Sequence, residues 1–157
     1  MRKIMVFVES SFEAMVAAQF AVFLARTFKC DLVAMYVVDV KTMEDLVKLH
    51  VFVKAERMDF EHELEEDGRS YLEQVRELAA EKGVEVQTIL AKGEVSREVI
   101  QKVKELEVDL LVMAEVEELQ TSRDFLFSET ERILRKVPCT VVVVKDEARV
   151  KELYSAL

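Results

Sequence analysis

Five short apolar runs, each followed by a longer stretch of helical character, constrain this chain more than any other feature of its sequence. They lie within Lys3–Glu9, Leu32–Val38, Val84–Ala91, Asp109–Ala114 and Thr140–Val144. Four of them are continuously apolar, the pattern of strands covered by helices on both faces of a parallel sheet. Val84–Ala91 instead alternates, with Val84, Val86, Thr88 and Leu90 on one side and a more polar partner face, which predicts a sheet edge. Strand and helix alternate along the chain, so the expected fold is an α/β open parallel sheet with helices on both faces.

The segments between the runs read as helices. Ser10 and Glu13 have the spacing of a capping box. The helix they open, with Phe12, Met15, Val16, Phe20, Val22, Phe23 and Leu24, is apolar almost all round and is expected to be deeply packed. Lys41–Lys82 is acidic and mostly helical, with Leu64, Tyr71, Leu72, Val75, Leu78 and Ala79 on one face. Gly68 shares that face and marks either a close helix-to-sheet contact or a break between two helices. Within that region, residues 41–60 read either as an ordered helix or as a lid over the functional end of the sheet. Gly93 turns the chain into a helix bearing Val95, Val99, Val103 and Leu106. An acidic loop, Glu115–Asp124, leads to a helix from about Ser128 to Val137, which Pro138 stops. Val150, Leu153, Tyr154 and Leu157 give the C-terminal tail an amphipathic face.

Composition removes several function classes. At 157 residues the chain has the size of one domain. Its three glycines, Gly68, Gly83 and Gly93, lie too far apart for two of them to share a phosphate loop, which excludes both the G-x-G-x-x-G fingerprint and the Walker A loop. Lys and Arg number 22 against 31 Asp and Glu, a net charge of −9, which argues against nucleic acid as a partner. The longest unbroken apolar run, Leu32–Val38, falls far short of the roughly 20 residues that span a bilayer, so no membrane association is expected. The first residues lack the apolar core of a secretory signal, which makes the cytoplasm the expected compartment. Cys30 and Cys139 match no metal spacing and read as buried thiols. Asn is absent and Glu, Lys and Arg are abundant, a composition similar to that of thermophile proteins. His62 with Asp59 and Glu66 reads as a solvated helix face with local ion pairs rather than a metal site, and His50 has no partner at catalytic spacing. No nucleophile with a base, metal cluster or carboxylate pair stands at interpretable spacing, so no catalytic residue and no enzymatic activity is expected.

Four segments carry a family resemblance. They are Phe7-Val8-Glu9-Ser10, Tyr36-Val37-Val38-Asp39, Asp109–Met113, and Ile133–Val144 with its Pro138-Cys139 turn. In order and spacing the chain resembles the universal stress protein family over nearly its whole length. The resemblance implies an α/β domain at residues 1–145 with strand order 3-2-1-4-5, and leaves 146–157 as a C-terminal helical tail. It also implies a ligand crevice where the strand order reverses, at the C-terminal ends of strands 1 and 4.

ATP-binding members of that family resemble one another in a Gly-x-x-Gly pair after strand 4 and, nine residues later, Gly-Ser or Gly-Thr. The same frame here falls on Ala114, Glu117, Phe127 and Ser128, so all three glycines are replaced. Ala114 adds a methyl where backbone must approach a ligand, and Phe127 adds a ring. Glu117 adds an anion beside Glu115, Glu118 and Asp124. A carboxylate about 6 Å from a phosphate charge costs on the order of 3 kcal/mol at an effective dielectric near 20. Micromolar binding is worth only about 8 kcal/mol. ATP is therefore disfavoured as a cofactor. Ser128 also opens a capping box with Glu131, so it reads as a helix cap with or without a residual ligand contact. Glu9 matches the family's acidic position beside the ligand, usually Asp, and reads equally as a solvated or capping carboxylate. Val37, whose counterpart offers backbone groups to adenine, keeps that capacity, so AMP or adenosine stays open. The candidate crevice is thus Glu9, Ser10, Val37, Met113, Ala114, Glu117, Phe127 and Ser128, with Val37, Met113 and Phe127 as a candidate apolar pocket.

Family members also pair the last strand with its symmetry mate. Thr140, Val141, Val142, Val143 and Val144 are the corresponding homodimer interface here, an apolar edge that demands cover. The tail face could supply that cover instead, within one chain or across the dimer. The expected function is a homodimeric stress-response module acting through protein contacts without ATP. The alternative is a sensor of AMP, adenosine or another small molecule in the crevice. An enzymatic reading, by analogy with α/β adenine-nucleotide hydrolases, is weakest because their phosphate-loop glycines are missing too.

Overall fold

A computed structural model describes residues 1–50, 54–115 and 121–157, with side chains described outside 121–127. Its strands are β1 (Lys3–Val8), β2 (Asp31–Asp39), β3 (Val86–Gly93), β4 (Leu110–Ala114) and β5 (Thr140–Val144). Its helices are α1 (Phe12–Phe28), α2 (Val40–Lys48), α3 (Lys54–Glu81), α4 (Val95–Glu105), α5 (Thr121–Lys136) and α6 (Glu147–Ser155). The strands form one sheet in the order β3-β2-β1-β4-β5, all neighbours parallel. The expected architecture is therefore present, with β3 at one edge.

Alternation along each strand divides the core in two. Ile4, Val6 and Val8 of β1, with Leu32, Ala34 and Tyr36 of β2, pack in the cluster that takes in α1, α3 and α6. Met5, Phe7, Val33, Met35 and Val37 point the other way, into the cluster formed with α4 and with Ile133 of α5. Both faces of the central strands are buried, which is why their sequences show no polar alternation.

The amino end of the sheet is pinned by Asp109. Its carboxylate accepts from the backbone N–H groups of Arg2 (2.8 Å) and Lys3 (3.0 Å), while its own N–H donates to the Lys3 carbonyl. These bonds hold the Asp109 carboxyl below the usual carboxylate range. They fix the register of β4 against β1 where the two strands begin.

Three local readings need correction. The α1 cap is Ser11, whose Oγ accepts from the Ala14 N–H at 3.1 Å, and not Ser10. Ser10 instead turns to Tyr36, with Oγ and Oη 2.5 Å apart. Phe12 and Phe28, at the two ends of α1, are exposed, so the helix is deeply packed only along its middle. Second, α5 starts at Thr121, not near Ser128, which puts Asp124 and Ser128 inside the helix and removes the capping box read at Ser128. Third, Cys30 and Cys139 are free but half-buried rather than buried.

The open reading at Gly68 resolves to a close contact. α3 runs unbroken through it for 28 residues, and a Cβ added there would lie 2.7 Å from Tyr36 Cδ1 and 2.8 Å from Leu90 Cδ1. The missing side chain lets α3 lie directly on β2 and β3. Of residues 41–60, 41–48 belong to α2 and 54–60 to α3, while 51–53 lie outside the described residues. The tail buries Val150 and Tyr154 in the α1 cluster, and the Tyr154 hydroxyl donates to the Leu78 carbonyl at 2.8 Å. The buried face of α6 is thus taken up by α1 and the end of α3.

Candidate functional site

The strand order reverses at β1, which has β2 on one side and β4 on the other, and ligands of open α/β sheets bind at the carboxyl ends of such strands. Here that end carries a rim of acids. Glu9 follows β1, Asp39 ends β2, Glu94 follows β3 and Glu115 follows β4.

Each acid is held by local geometry. The Ser11 hydroxyl donates to Glu9 Oε1 while capping α1, so Glu9 is tied to the helix start. Asp39 caps α2, accepting from the Thr42 N–H (3.1 Å) and the Thr42 hydroxyl (2.8 Å). Burial nevertheless pushes the Asp39 carboxyl above its ordinary value, with the neighbouring Glu129 and Glu94 carboxylates adding to the rise. Glu115 meets Lys145, just beyond β5, at 3.7 Å.

A further carboxylate lies deeper. Glu129 of α5 is only 1% exposed, and its Oε2 accepts from the Ser96 N–H, in the first turn of α4, at 2.7 Å. Its other oxygen meets Arg132 Nη1 at 2.7 Å, and the same nitrogen reaches Glu94 at 3.3 Å. A carboxylate on the free amides of a helix start satisfies a donor that has no partner within the helix. The bond also ties α5 to α4.

The predicted crevice residues are distributed unevenly. Glu9 and Ser10 stand at the end of β1, and Ser10 closes against Tyr36, whose hydroxyl burial pushes above its ordinary value. Ala114, 5% exposed, ends β4 and packs with the α1 cluster. Val37 and Met113 are buried in the cluster beneath α4 and α5, so the described part of the candidate apolar pocket is core. The Phe127 side chain and Glu117 lie outside the described residues. Ser128 is exposed in α5.

Asp39, Glu94, Glu129 and Arg132 were not among the predicted crevice residues. Three of the rim acids, Glu9, Asp39 and Glu115, stand one residue past an apolar run, and Glu94 stands three past another, a regularity visible in the sequence. Glu129 gave no such signal, since it sits among polar residues. Elsewhere, His62 pairs with Glu66 at 3.0 Å on an exposed face of α3. Among the described residues no group of three or more His, Cys, Asp or Glu is arranged to hold a metal ion. No helix among them is long and apolar enough to cross a membrane.

This sheet order, with a switch point at β1 and β4, is the fold of known universal stress proteins. The UspA protein of Lactobacillus plantarum superposes with a TM-score of 0.76 at 22% identity, over 92% of this chain and 97% of that one. The universal stress protein of Archaeoglobus fulgidus in complex with dAMP gives a TM-score of 0.63 at 16% identity, over 92% and 98%. In sequence, the universal stress protein YxiE of Bacillus subtilis is 30% identical over 146 residues, 91% of this chain and 98% of YxiE. The family model for universal stress proteins matches residues 1–145. The chain belongs to the universal stress protein family.

Proposed function

We propose that this universal stress protein is a cytoplasmic, homodimeric regulatory module that acts through protein contacts and does not use ATP, in a domain at 1–145 followed by a helical tail at 146–157. The observation that carries this reading is the acidic rim, with carboxylates closing β1, β2, β3 and β4. A rim carboxylate facing a phosphate within about 6 Å opposes it by roughly 3 kcal/mol where no cation offsets it. The replaced glycines at Ala114, Glu117 and Phe127 act in the same sense. No residue is assigned a catalytic role.

The dimer is argued from β5. Its outer edge pairs with no strand among the described residues, no charged residue lies within it, and Val143 is 36% exposed. Such an edge is stable in water only when covered, and a second β5 related by a two-fold axis would cover it.

A second reading has its own support in the dAMP complex of the Archaeoglobus fulgidus protein. AMP or adenosine carries one phosphate or none, and meets correspondingly less of the rim. On this reading the protein is a nucleotide or nucleoside sensor, the adenine resting on backbone groups of Val37.

Thermal-shift measurements with ATP, AMP and adenosine, each with and without Mg²⁺, decide between them. No saturable stabilisation by micromolar ATP is expected, and finding one would overturn the first reading. Stabilisation by AMP or adenosine alone would establish the second. Native mass spectrometry should give a dimer.

A further inference from the structure

We propose that the groove between α4 and α5 is a docking site for an acidic peptide segment of a partner protein, one with an apolar residue among its acids. The groove encloses about 800 Å³ and is walled by Arg97 and Lys104 of α4 and by Arg132 and Lys136 of α5. Two carboxylates, Glu94 and Glu105, also line it, but both are engaged by other groups. Glu105 accepts from Gln101 and from Lys102, and Glu94 takes Arg132, which the buried Glu129 also holds. Arg97, Lys104 and Lys136 make no ion pair among the described residues. In a chain with a net charge of −9, three cations of one groove thus stand without an ion pair among the described residues.

Their spacing selects the occupant. Arg97 and Lys104 are seven residues apart on α4, about 10 Å along its axis. An extended peptide presents residues i and i+3 at about the same separation. A compact anion would touch only one of the two. A uniformly charged polymer such as polyphosphate would meet Glu94 and Glu105 as well, whereas a peptide can place neutral residues against them. Ile100, half-buried in the groove, offers an apolar contact between the two cations. Complementary charge of this kind sets partner choice and association rate more than raw affinity.

This inference names the kind of partner that the protein-contact reading requires, and its test is independent of the nucleotide experiments. The probe is a fluorescein-labelled peptide with glutamates three residues apart around a central leucine, titrated with the full-length protein in about 0.05 M salt, where surface charges are weakly screened. A saturable rise in anisotropy is expected, lost when the glutamates become glutamines. The variant Arg97→Glu/Lys104→Glu/Lys136→Glu should bind at least about tenfold more weakly. A control with the same net charge, Lys29→Glu/Lys48→Glu/Lys54→Glu, should bind as the wild type does. Equal weakening in the control, undiminished binding by the groove variant, or tighter binding of polyphosphate than of the peptide would each overturn the proposal. Circular dichroism confirms that both variants are folded. If the peptide fails to bind while ATP also gives no stabilisation, the groove inference falls and the module reading stands.

Discussion

The two edges of the sheet are treated in opposite ways. At β3 the chain guards its own edge: Lys92 stands in the strand and pairs with Glu65 and Glu61 of α3, Arg76 donates to the Thr88 hydroxyl at 2.8 Å, and Gln87 is exposed. α3 approaches closely enough to do this because Gly68 has no side chain to hold it off Tyr36 and Leu90. At β5 there is no charged residue in the strand and no helix as long as α3 beside it, and valine is exposed. A polar, self-satisfied edge needs no partner, whereas an apolar one is stable only with cover. The difference teaches where to look for assembly.

The largest effect is expected from removing the device that guards β3. Gly68→Val forces a branched side chain into space already filled by Tyr36 and Leu90, and α3 must lift from the sheet. Overpacking of this kind costs roughly 1–3 kcal/mol, and β-branching in a helix adds to it. Calorimetry should show a clear loss of melting temperature and soluble aggregates as β3 is uncovered. A variant as stable as the parent would show that the contact is not tight.

The complementary change is Val143→Lys, which gives β5 the kind of charge that β3 already has. Val143 is chosen over Val142, which packs against the core. The dimer expected in native mass spectrometry should dissociate about tenfold more readily, roughly 1.4 kcal/mol, with little change in melting temperature. An unchanged dimer would remove β5 as the interface.

Tyr154→Phe asks why the tail lies where it does. The lost hydroxyl bond to Leu78 should cost about 1 kcal/mol and loosen α6 from α3. The wild type carries a pH signature of the same contact: burial, with the Glu81 carboxylate, pushes the Tyr154 hydroxyl up to about 12. Because the folded value is raised, this contribution is full below about pH 10 and is lost as pH rises through about 12. The Phe variant should lack that loss in alkaline melts. The smallest effect is expected from Lys92→Gln, whose exposed ammonium pairs with the half-buried Glu65 and Glu61 at the surface, where such pairs stabilise little and are screened by salt. Its melting temperature should converge on the wild type's in 1 M salt.

Much of this was legible in the sequence, for physical reasons that differ by element. Strands buried on two faces leave long apolar runs, so Leu32–Val38 could hardly be anything but a central strand. The strand order came from the resemblance and not from the runs. Helix starts were harder: adjacent serines at 10 and 11 both offer a capping hydroxyl, and only the position of Tyr36, far along the chain, decides which one faces the helix. Gly68 was legible as special, but a close helix-to-sheet contact and a helix break stayed equally open, because its neighbours Tyr36 and Leu90 lie on other elements. At the candidate site, Val37 and Met113 were legible as apolar, but which face of the sheet each lines depends on register. Glu129 was hidden because a buried carboxylate and a solvated one look alike until the Ser96 amide and Arg132 are placed beside it.

The Asp109 clasp on Arg2 and Lys3 has a practical consequence. Because every strand is parallel, that clasp sits at the end of the molecule opposite the acidic rim. A tether attached ahead of Arg2 therefore orients the molecule on a sensor chip with its rim outward, presented to whatever flows past. An attachment after Leu157 starts from the same end, since Arg26 in the last turn of α1 reaches the Leu157 carbonyl and Cys30, four residues on, reaches that of Met1. The same protein immobilised by either end thus turns its rim outward, and a partner that binds both kinds of surface equally well is one that uses that face.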